Sequence, residues 1–438
     1  MYIDLGKAVI YAAKFNAERY WEPSETIKLP SISNKNLDNM VAAFDEINYA
    51  FCKSGDYVLT SIAMDKAHLS YLDSLGFSFH NVPVFHDLSK LKEGRADYKI
   101  EDFDGLEFSS GARLSTYAVT DEYIQLSEKY GFSYEHPDIE TIKKVNSKKY
   151  STILAKELDC NDFSYLINDT EQLITIGKKL LETCGGVMVK EEYGVSGKGN
   201  TKITELKALQ RLHDYCLFQS KKGKKLSLIL EPFFTIQTDF SVQYRIDKSG
   251  KSERISIQKV LNNQSTYNGS VNLDDELTDR LISEGYFSIM EKTCDRLYSD
   301  GYYGDICIDS MILADGRIVP IVEINARKSM SLIKHYLEQR ISPAEDNKLT
   351  CSFYVDLTCH GQISFDDILN EFTINGILYT DKKKEGVIPL TANTLFINRI
   401  LTDRDSYKGR LYFMAVTQPA GMDAMIRKTR DICSRFSL

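Results

Sequence analysis

Short apolar runs of strand character alternate with longer stretches of helical period over most of this chain, an order that restricts it to α/β architecture. In the first third, residues 56–61 read as a strand, 63–75 as a helix with Ala67, Leu69, Leu72 and Leu75 near one face, and 79–84 as the next strand. Such a unit builds a parallel sheet, although no G-x-G-x-x-G turn accompanies it. Residues 90–108, rich in Lys, Asp and Glu, read as a solvated loop. Helices are predicted over 147–158, capped by Ser147, from Asp169 onward, over 205–218 and over 274–298. Strands are expected at 187–190, 226–230, 241–246, 254–260, 305–313 and 317–324. Near the end, strand-like pieces at 373–379 and 410–416 precede a closing helix at 421–436.

With 438 residues, the chain suits about three domains or one large compound fold and can bury its core without staples. The 54 basic and 62 acidic residues leave no basic excess of the kind that marks nucleic-acid binding. Nine cysteines, scattered and without a C-x-x-C pair, give neither a disulfide framework nor a zinc site; Cys351 and Cys359, beside His360, read as buried thiols. The seven histidines show no metal spacing. Charges throughout the first 25 residues and the lack of an 18-residue apolar run argue against a signal peptide and a membrane span, so a cytoplasmic setting is expected.

Three stretches carry chemistry. The first is Val187-Met188-Val189-Lys190, followed by a glycine-rich loop with Gly194, Ser196, Gly197 and Gly199. A lysine ending a strand can reach a phosphate, and small residues let backbone N–H groups approach phosphoryl oxygens; a surface loop explains the same residues. The second stretch runs Leu230-Glu231-Pro232-Phe233-Phe234 and on to Asp239, a strand ending in a carboxylate and aromatics that suits a purine pocket. A strand leaving the core would look alike. The third holds Asp309, a D-G turn at 315–316, then Glu323, Asn325 and Arg327. Two strands joined by that turn bring Asp309 and Glu323 together, with Asn325 on the face of Glu323. Two carboxylates and an amide oxygen emerging from apolar strands are hard ligands of the kind magnesium takes beside phosphates; a salt bridge is the alternative.

In this order the motifs resemble the ATP-grasp superfamily, which contains D-alanine–D-alanine ligase, biotin carboxylase and many peptide-forming ligases. The resemblance covers roughly residues 147–327. It implies an α/β (α+β) ATP-grasp fold: a pre-ATP-grasp domain at 1–134, a two-lobed ATP-grasp domain at 135–338 and a small C-terminal α+β extension at 339–438. It further implies that Lys148 and Lys190 contact ATP phosphates, that Gly194–Gly199 closes over the triphosphate, and that Glu231 reads the adenine amino group beside Phe233 and Phe234. Asp239 then takes the ribose, Asp309, Glu323 and Asn325 hold Mg²⁺, and Arg327 (with Lys190 the catalytic pair) holds a substrate carboxylate or acyl phosphate. Some members carry an arginine where this chain has Cys307; Arg327, Arg245 or Arg254 could replace it. His335 could reach the acceptor site but reads more simply as structural.

The implied activity is ADP-forming ligation: a carboxylate is activated as an acyl phosphate and coupled to an amine, an amino acid or peptide, in a biosynthetic pathway. A carrier-protein thiol as acceptor, a nucleotide-binding regulator without turnover, and phosphoryl transfer to an alcohol are the alternatives. Residues 258–268, rich in amides and hydroxyls, suit a polar acceptor. The expected partners are small molecules or a carrier protein, neither nucleic acid nor membrane, with a homodimer common in the superfamily.

Overall fold

The computed structural model describes residues 2–3, 8–31, 34–86, 98–108, 111–194, 199–263, 266–341, 348–402 and 405–437. Near the N-terminus, four parallel strands stand in the order His80–Pro83, Tyr57–Thr60, Val9–Ala12, Arg113–Thr116. The predicted strand–helix–strand unit is present, its helix Lys66–Ser74 capped by Asp65, whose carboxylate accepts from the backbone of Ala67 and His68. Strand Val9–Ala12 comes first in the chain yet lies between the second and fourth strands of this sheet, so the winding reverses beside it. In open α/β sheets the crevice at such a reversal is where ligands bind.

A second sheet has four antiparallel strands in the order Tyr165–Ile167, Leu228–Pro232, Val187–Glu191, Asn200–Ile203. Helices Thr170–Cys184 and Leu206–Lys221 cover it, burying Leu173, Leu180, Leu209 and Leu212. They meet at Gly177, where a Cβ would fall 2.7 Å from the Leu209 side chain and push it aside.

The third sheet has eight strands in the order Ile318–Asn325, Gly304–Leu313, Ile236–Ile246, Ser252–Asn263, Thr266–Asn272, Leu349–His360, Ser406–Thr417, Gly386–Pro389, all antiparallel. Strands from the last hundred residues thus continue the sheet that carries Asp309. The junction between Thr266–Asn272 and Leu349–His360 needs Gly269, where a Cβ would lie 1.8 Å from the Ser352 carbonyl oxygen. Alternation divides strand Ile236–Ile246 into two faces: Phe240, Val242, Tyr244 and Ile246 join the core with helix Tyr286–Ser299, while Asp239, Ser241, Gln243 and Arg245 form a polar face.

Three sequence expectations need correction, and one strand was not foreseen. The helix expected at 274–298 is two helices, Asp275–Ser283 and Tyr286–Ser299, broken at Gly285 with φ +75°. The strand expected at 373–379 begins instead as the end of helix Phe365–Ile374, and only Leu378 bridges, to Val387. The loop expected at 90–108 contains a 3₁₀ turn, Ile100–Phe103, and a strand, Glu107–Phe108, paired with Tyr2–Ile3; its residues up to 97 lie outside the described ones. The long strand Leu349–His360 was not anticipated, although Cys351, Phe353, Leu357 and Cys359 fall on its buried face. Both cysteines there are free buried thiols, as expected.

Candidate active site

The hairpin Gly304–Leu313 and Ile318–Asn325 carries the acidic centre. Its register pairs Asp309 with Glu323 and Cys307 with Asn325. A simple hairpin would not do this. Met311 pairs with Val319, so between the two pairings one residue of the first strand faces three of the second, a bulge that contains Pro320. Proline has no N–H for the ladder and sits where the ladder is interrupted. Ser310 Oγ donates to the Pro320 carbonyl at 2.6 Å, and the bulge brings Glu323 opposite Asp309.

Asn325 Nδ2 donates to Asp309 Oδ2 at 2.9 Å. Burial, then the nearby Glu323, push the Asp309 carboxyl up to about 7. Asp239 lies on the same face one strand away, pairing with Met311 across the ladder; it accepts from Asn262 at 2.7 Å, and burial raises its pKa. The side chains that meet here are two carboxylates and the Asn325 amide, whose nitrogen faces Asp309 and whose oxygen accepts from Arg327. Among the described residues no group of three or more His, Cys, Asp or Glu side chains converges. Such hard oxygen donors, too few to enclose an ion, fit magnesium shared with phosphates and do not fit structural zinc.

Lys148 opens helix Lys148–Glu157, capped by Ser147 Oγ. This helix packs against strand Ile318–Asn325, where Ser151 Oγ accepts from the Ile324 N–H at 3.0 Å. The Lys148 ammonium donates to Glu323 Oε1 at 2.8 Å and to the Gly194 carbonyl at 2.6 Å, tying the acidic centre to the start of the glycine-rich loop. The loop is pinched at its base: a Cβ on Gly199, φ +84°, would come within 2.9 Å of Gly194 Cα. Ser196 and Gly197 lie outside the described residues.

On the four-stranded sheet, Lys190 and Glu231 pair at 2.5 Å, and Ser164 Oγ donates to the other Glu231 oxygen at 2.8 Å. Phe233 lies beneath the Lys202 ammonium, 3.5 Å from its ring centre. Phe234 meets Phe163 edge-on at 4.7 Å, and both pack with Met311, Val319 and Val322. An apolar wall thus spans the two sheets beside Asp309. Phe163 and Met311 were missed in the sequence; Met311's place two residues beyond Asp309, on one face, was the available signal.

Arg327 is largely buried, its side chain 12% exposed, and bound to the N-terminal region. Its guanidinium donates to Glu18 Oε1 at 2.6 and 2.8 Å, to the Tyr117 hydroxyl at 3.0 Å and to Asn325 Oδ1 at 2.9 Å. Of the other arginines expected near Cys307, Arg245 lies on the polar face and donates to Asp305 at 2.7 Å, whereas Arg254 is on the opposite face over Phe287. Cys307 itself is buried with its thiol pushed up to about 12, a packed group and not a nucleophile. Burial also lowers the pKa of His335. In the expected acceptor stretch, Gln258 donates to the Ser331 carbonyl at 2.9 Å, and its own buried amide oxygen has no partner among the described residues.

No protein-family model matches the chain. No curated protein matches it either. Solved structures do. The biotin carboxylase domain of 2-oxoglutarate carboxylase from Hydrogenobacter thermophilus, in complex with MgADP, ADP and bicarbonate, superposes with TM-score 0.53 at 11% identity over 96% of this chain and 89% of that one. N5-carboxyaminoimidazole synthase from Aspergillus clavatus, with ADP and 5-aminoimidazole ribonucleotide, gives 0.52 at 10% identity over 86% and 98%. Biotin carboxylase from Campylobacter jejuni, in a β-γ-ATP complex, gives 0.51 at 11% identity over 98% and 94%. The order of the three sheets, the acidic hairpin and these superpositions together give the conclusion that the chain has the ATP-grasp fold with a pre-ATP-grasp domain at its N-terminus.

Proposed function

We propose that this protein is an ATP-dependent, ADP-forming ligase that activates a carboxylate as an acyl phosphate and couples it to an amine, an amino acid or peptide. The observation that carries the reading is the direct opposition of Asp309 and Glu323, with Asn325 bonded to one and Lys148 to the other. The nucleotide-bound neighbours support the same reading. Residues 1–134, 135–338 and 339–438 are taken as its domains.

In this reading, Asp309, Glu323 and Asn325 hold Mg²⁺, which when bound neutralises charge on the phosphate oxygens. Lys148 and Lys190 add positive charge from opposite sides, Lys190 leaving Glu231 as that carboxylate turns to the adenine amino group. Gly194 and Gly199, with little side-chain bulk, let backbone N–H groups approach the triphosphate. Phe234, Phe163 and Met311 wall the base, Phe233 lies at the hinge beside it, and Asp239 takes the ribose hydroxyls. Transfer of the γ-phosphoryl group to a carboxylate oxygen forms the acyl O–P bond and breaks the bond to the β-phosphate, releasing ADP. Amine attack on the acyl carbon then forms the C–N bond, expels phosphate and gives the amine proton to solvent. No side-chain nucleophile is required; the catalytic contribution is positioning and charge neutralisation. Arg327, rigidly held by Glu18 and Tyr117, faces the transferring group through Asn325.

Calorimetric titration with Mg·AMP-PNP tests the nucleotide assignment. Wild type should bind, Lys190→Ala about tenfold or more weakly, and Glu323→Gln should lose the magnesium dependence. Equal affinity in all three would contradict it.

A further inference from the structure

Immediately after Arg327, the chain places a cation for which the reaction above has no use. Lys328 is 9% exposed. Its ammonium donates to Ser115 Oγ at 2.8 Å and to the Thr116 carbonyl at 2.6 Å, and it lies 5.1 Å from the ring centre of Phe51 and 5.8 Å from that of Tyr11. An ammonium has three protons. Among the described residues the third has no acceptor, and no carboxylate lies within ion-pair distance. Asp305, the acid that acts most strongly on it, is already bound by Arg245. Aromatic faces soften a buried positive charge but do not cancel it. The imbalance shows in the lysine itself, which burial pulls down to about 8.

The place matters as much as the charge. Ser115 and Thr116 end strand Arg113–Thr116, and Tyr11 lies on the adjoining strand Val9–Ala12, so Lys328 sits at the reversal of the parallel sheet. Both strands are interior or paired there, yet their residues Val9, Tyr11, Arg113 and Ser115, which share one face, retain exposure, while Ile10, Ala12, Leu114 and Thr116 on the other are buried. One face of the sheet is therefore incompletely covered, and the space over it is taken as a cleft. Arg113, at its mouth, is a second cation with no carboxylate partner among the described residues. Arg245 and Asp305, on the polar face of the large sheet, act on the charge of Lys328 from the ATP-grasp side. Asp305 and Asp309 are four residues apart on one strand, about 13 Å.

We propose that this cleft is a subsite for a second anionic group of the substrate, with Lys328 as its counter-ion and Arg113 at its entrance. The inference rests on the ligase reading for what lies at the other end: the substrate class is a small molecule whose reacting group meets the phosphoryl near Asp309 and whose far end, on the order of 10 Å away, carries a carboxylate or a phosphate. The free chain leaves Lys328 without a counter-charge; the bound substrate supplies it, and an analogue lacking that group leaves the lysine buried and unpaired, which is strong discrimination.

The test titrates the full chain, saturated with Mg·AMP-PNP, with glutarate, glycerol 3-phosphate and neutral glycerol. The expected result is binding of one anion, which tells carboxylate from phosphate, and none of glycerol. Lys328→Met, which keeps the packing against Tyr11 and Phe51, should weaken the anion about tenfold or more, and Arg113→Gln severalfold, with AMP-PNP affinity within twofold of wild type in both. Arg113 is exposed, so its variant decides the matter if Lys328→Met fails to fold. Neither anion binding to wild type, or both variants binding as wild type does, overturns the subsite while leaving the ligase reading intact. Failure of wild type to bind AMP-PNP overturns the ligase reading instead; the same anion titration without nucleotide then decides the subsite by the same criteria.

Discussion

Replacing Asp309 by asparagine removes a negative charge that the fold holds beside Glu323 and mostly away from water. In the metal-free chain these two causes raise its pKa from 3.8 to about 7. Unfolded, the group titrates near its ordinary value, so between about pH 4 and pH 7 the folded chain binds more protons than the unfolded one. Its contribution to stability is thus fully present below pH 4, is lost as pH rises, and is gone above pH 7. Three units correspond to about 4 kcal/mol as an upper bound; because Asp309 retains some exposure, a loss of about 2–4 kcal/mol is expected. Asparagine is nearly isosteric, can still accept from Asn325, and carries no such charge. Urea denaturation in EDTA should therefore find Asp309→Asn more stable than wild type by about 2–4 kcal/mol at pH 8, with the gap reduced to about 1 kcal/mol at pH 4.5. Millimolar Mg²⁺ should raise wild-type stability at pH 8 and leave the variant unmoved. A variant less stable than wild type at pH 8, or parallel pH profiles, would refute the reasoning.

Three further outcomes follow from contacts on other parts of the fold. Lys148→Met removes the partner of Glu323 and the tie to Gly194; chemical denaturation should show a loss of about 1–3 kcal/mol, and Mg·AMP-PNP affinity should fall at least about tenfold. Glu46 is fully buried and its Oε1 accepts from the backbone of Ala392 and Asn393 at 2.9 and 2.8 Å, at the start of helix Asn393–Thr402; Glu46→Ala strands those donors and should cost about 3–5 kcal/mol in a urea melt, with Glu46→Gln recovering much of it. Gly269→Ala forces a methyl group into the Ser352 carbonyl; a loss of about 2 kcal/mol or more is expected, read as a lower thermal midpoint.

What the sequence disclosed, it disclosed through local rules. Ser147 before Lys148 and Asp169 before Thr170 cap helices because a side-chain oxygen there meets the free N–H groups of the first turn. The turn at 314–316 joins two apolar strands, so the association of Asp309 with Glu323 was legible. Their direct opposition was not, since it depends on where the bulge at Pro320 falls. Strand Leu349–His360 shows the period of two in Cys351, Phe353, Leu357 and Cys359, but Thr350 and Ser352 between them are buried as well and blur it. Contacts between distant segments left no trace: Glu18 meets Arg327, and Ser115 meets Lys328, across some two to three hundred positions. Nor did spacing show that Lys190 and Glu231 would pair with each other in the free chain.

The central claim is ADP-forming activation of a carboxylate, and accounting for the products of ATP tests it most directly. Purified protein is incubated with Mg·ATP and pools of amino acids and other small carboxylates, including members with a second carboxylate or a phosphate, and ADP, AMP and free phosphate are measured with Glu323→Gln as the blank. ADP and phosphate should form in equal amounts, dependent on a particular pool and abolished by Glu323→Gln. Formation of AMP, or ADP release that the Glu323→Gln protein matches, would contradict it.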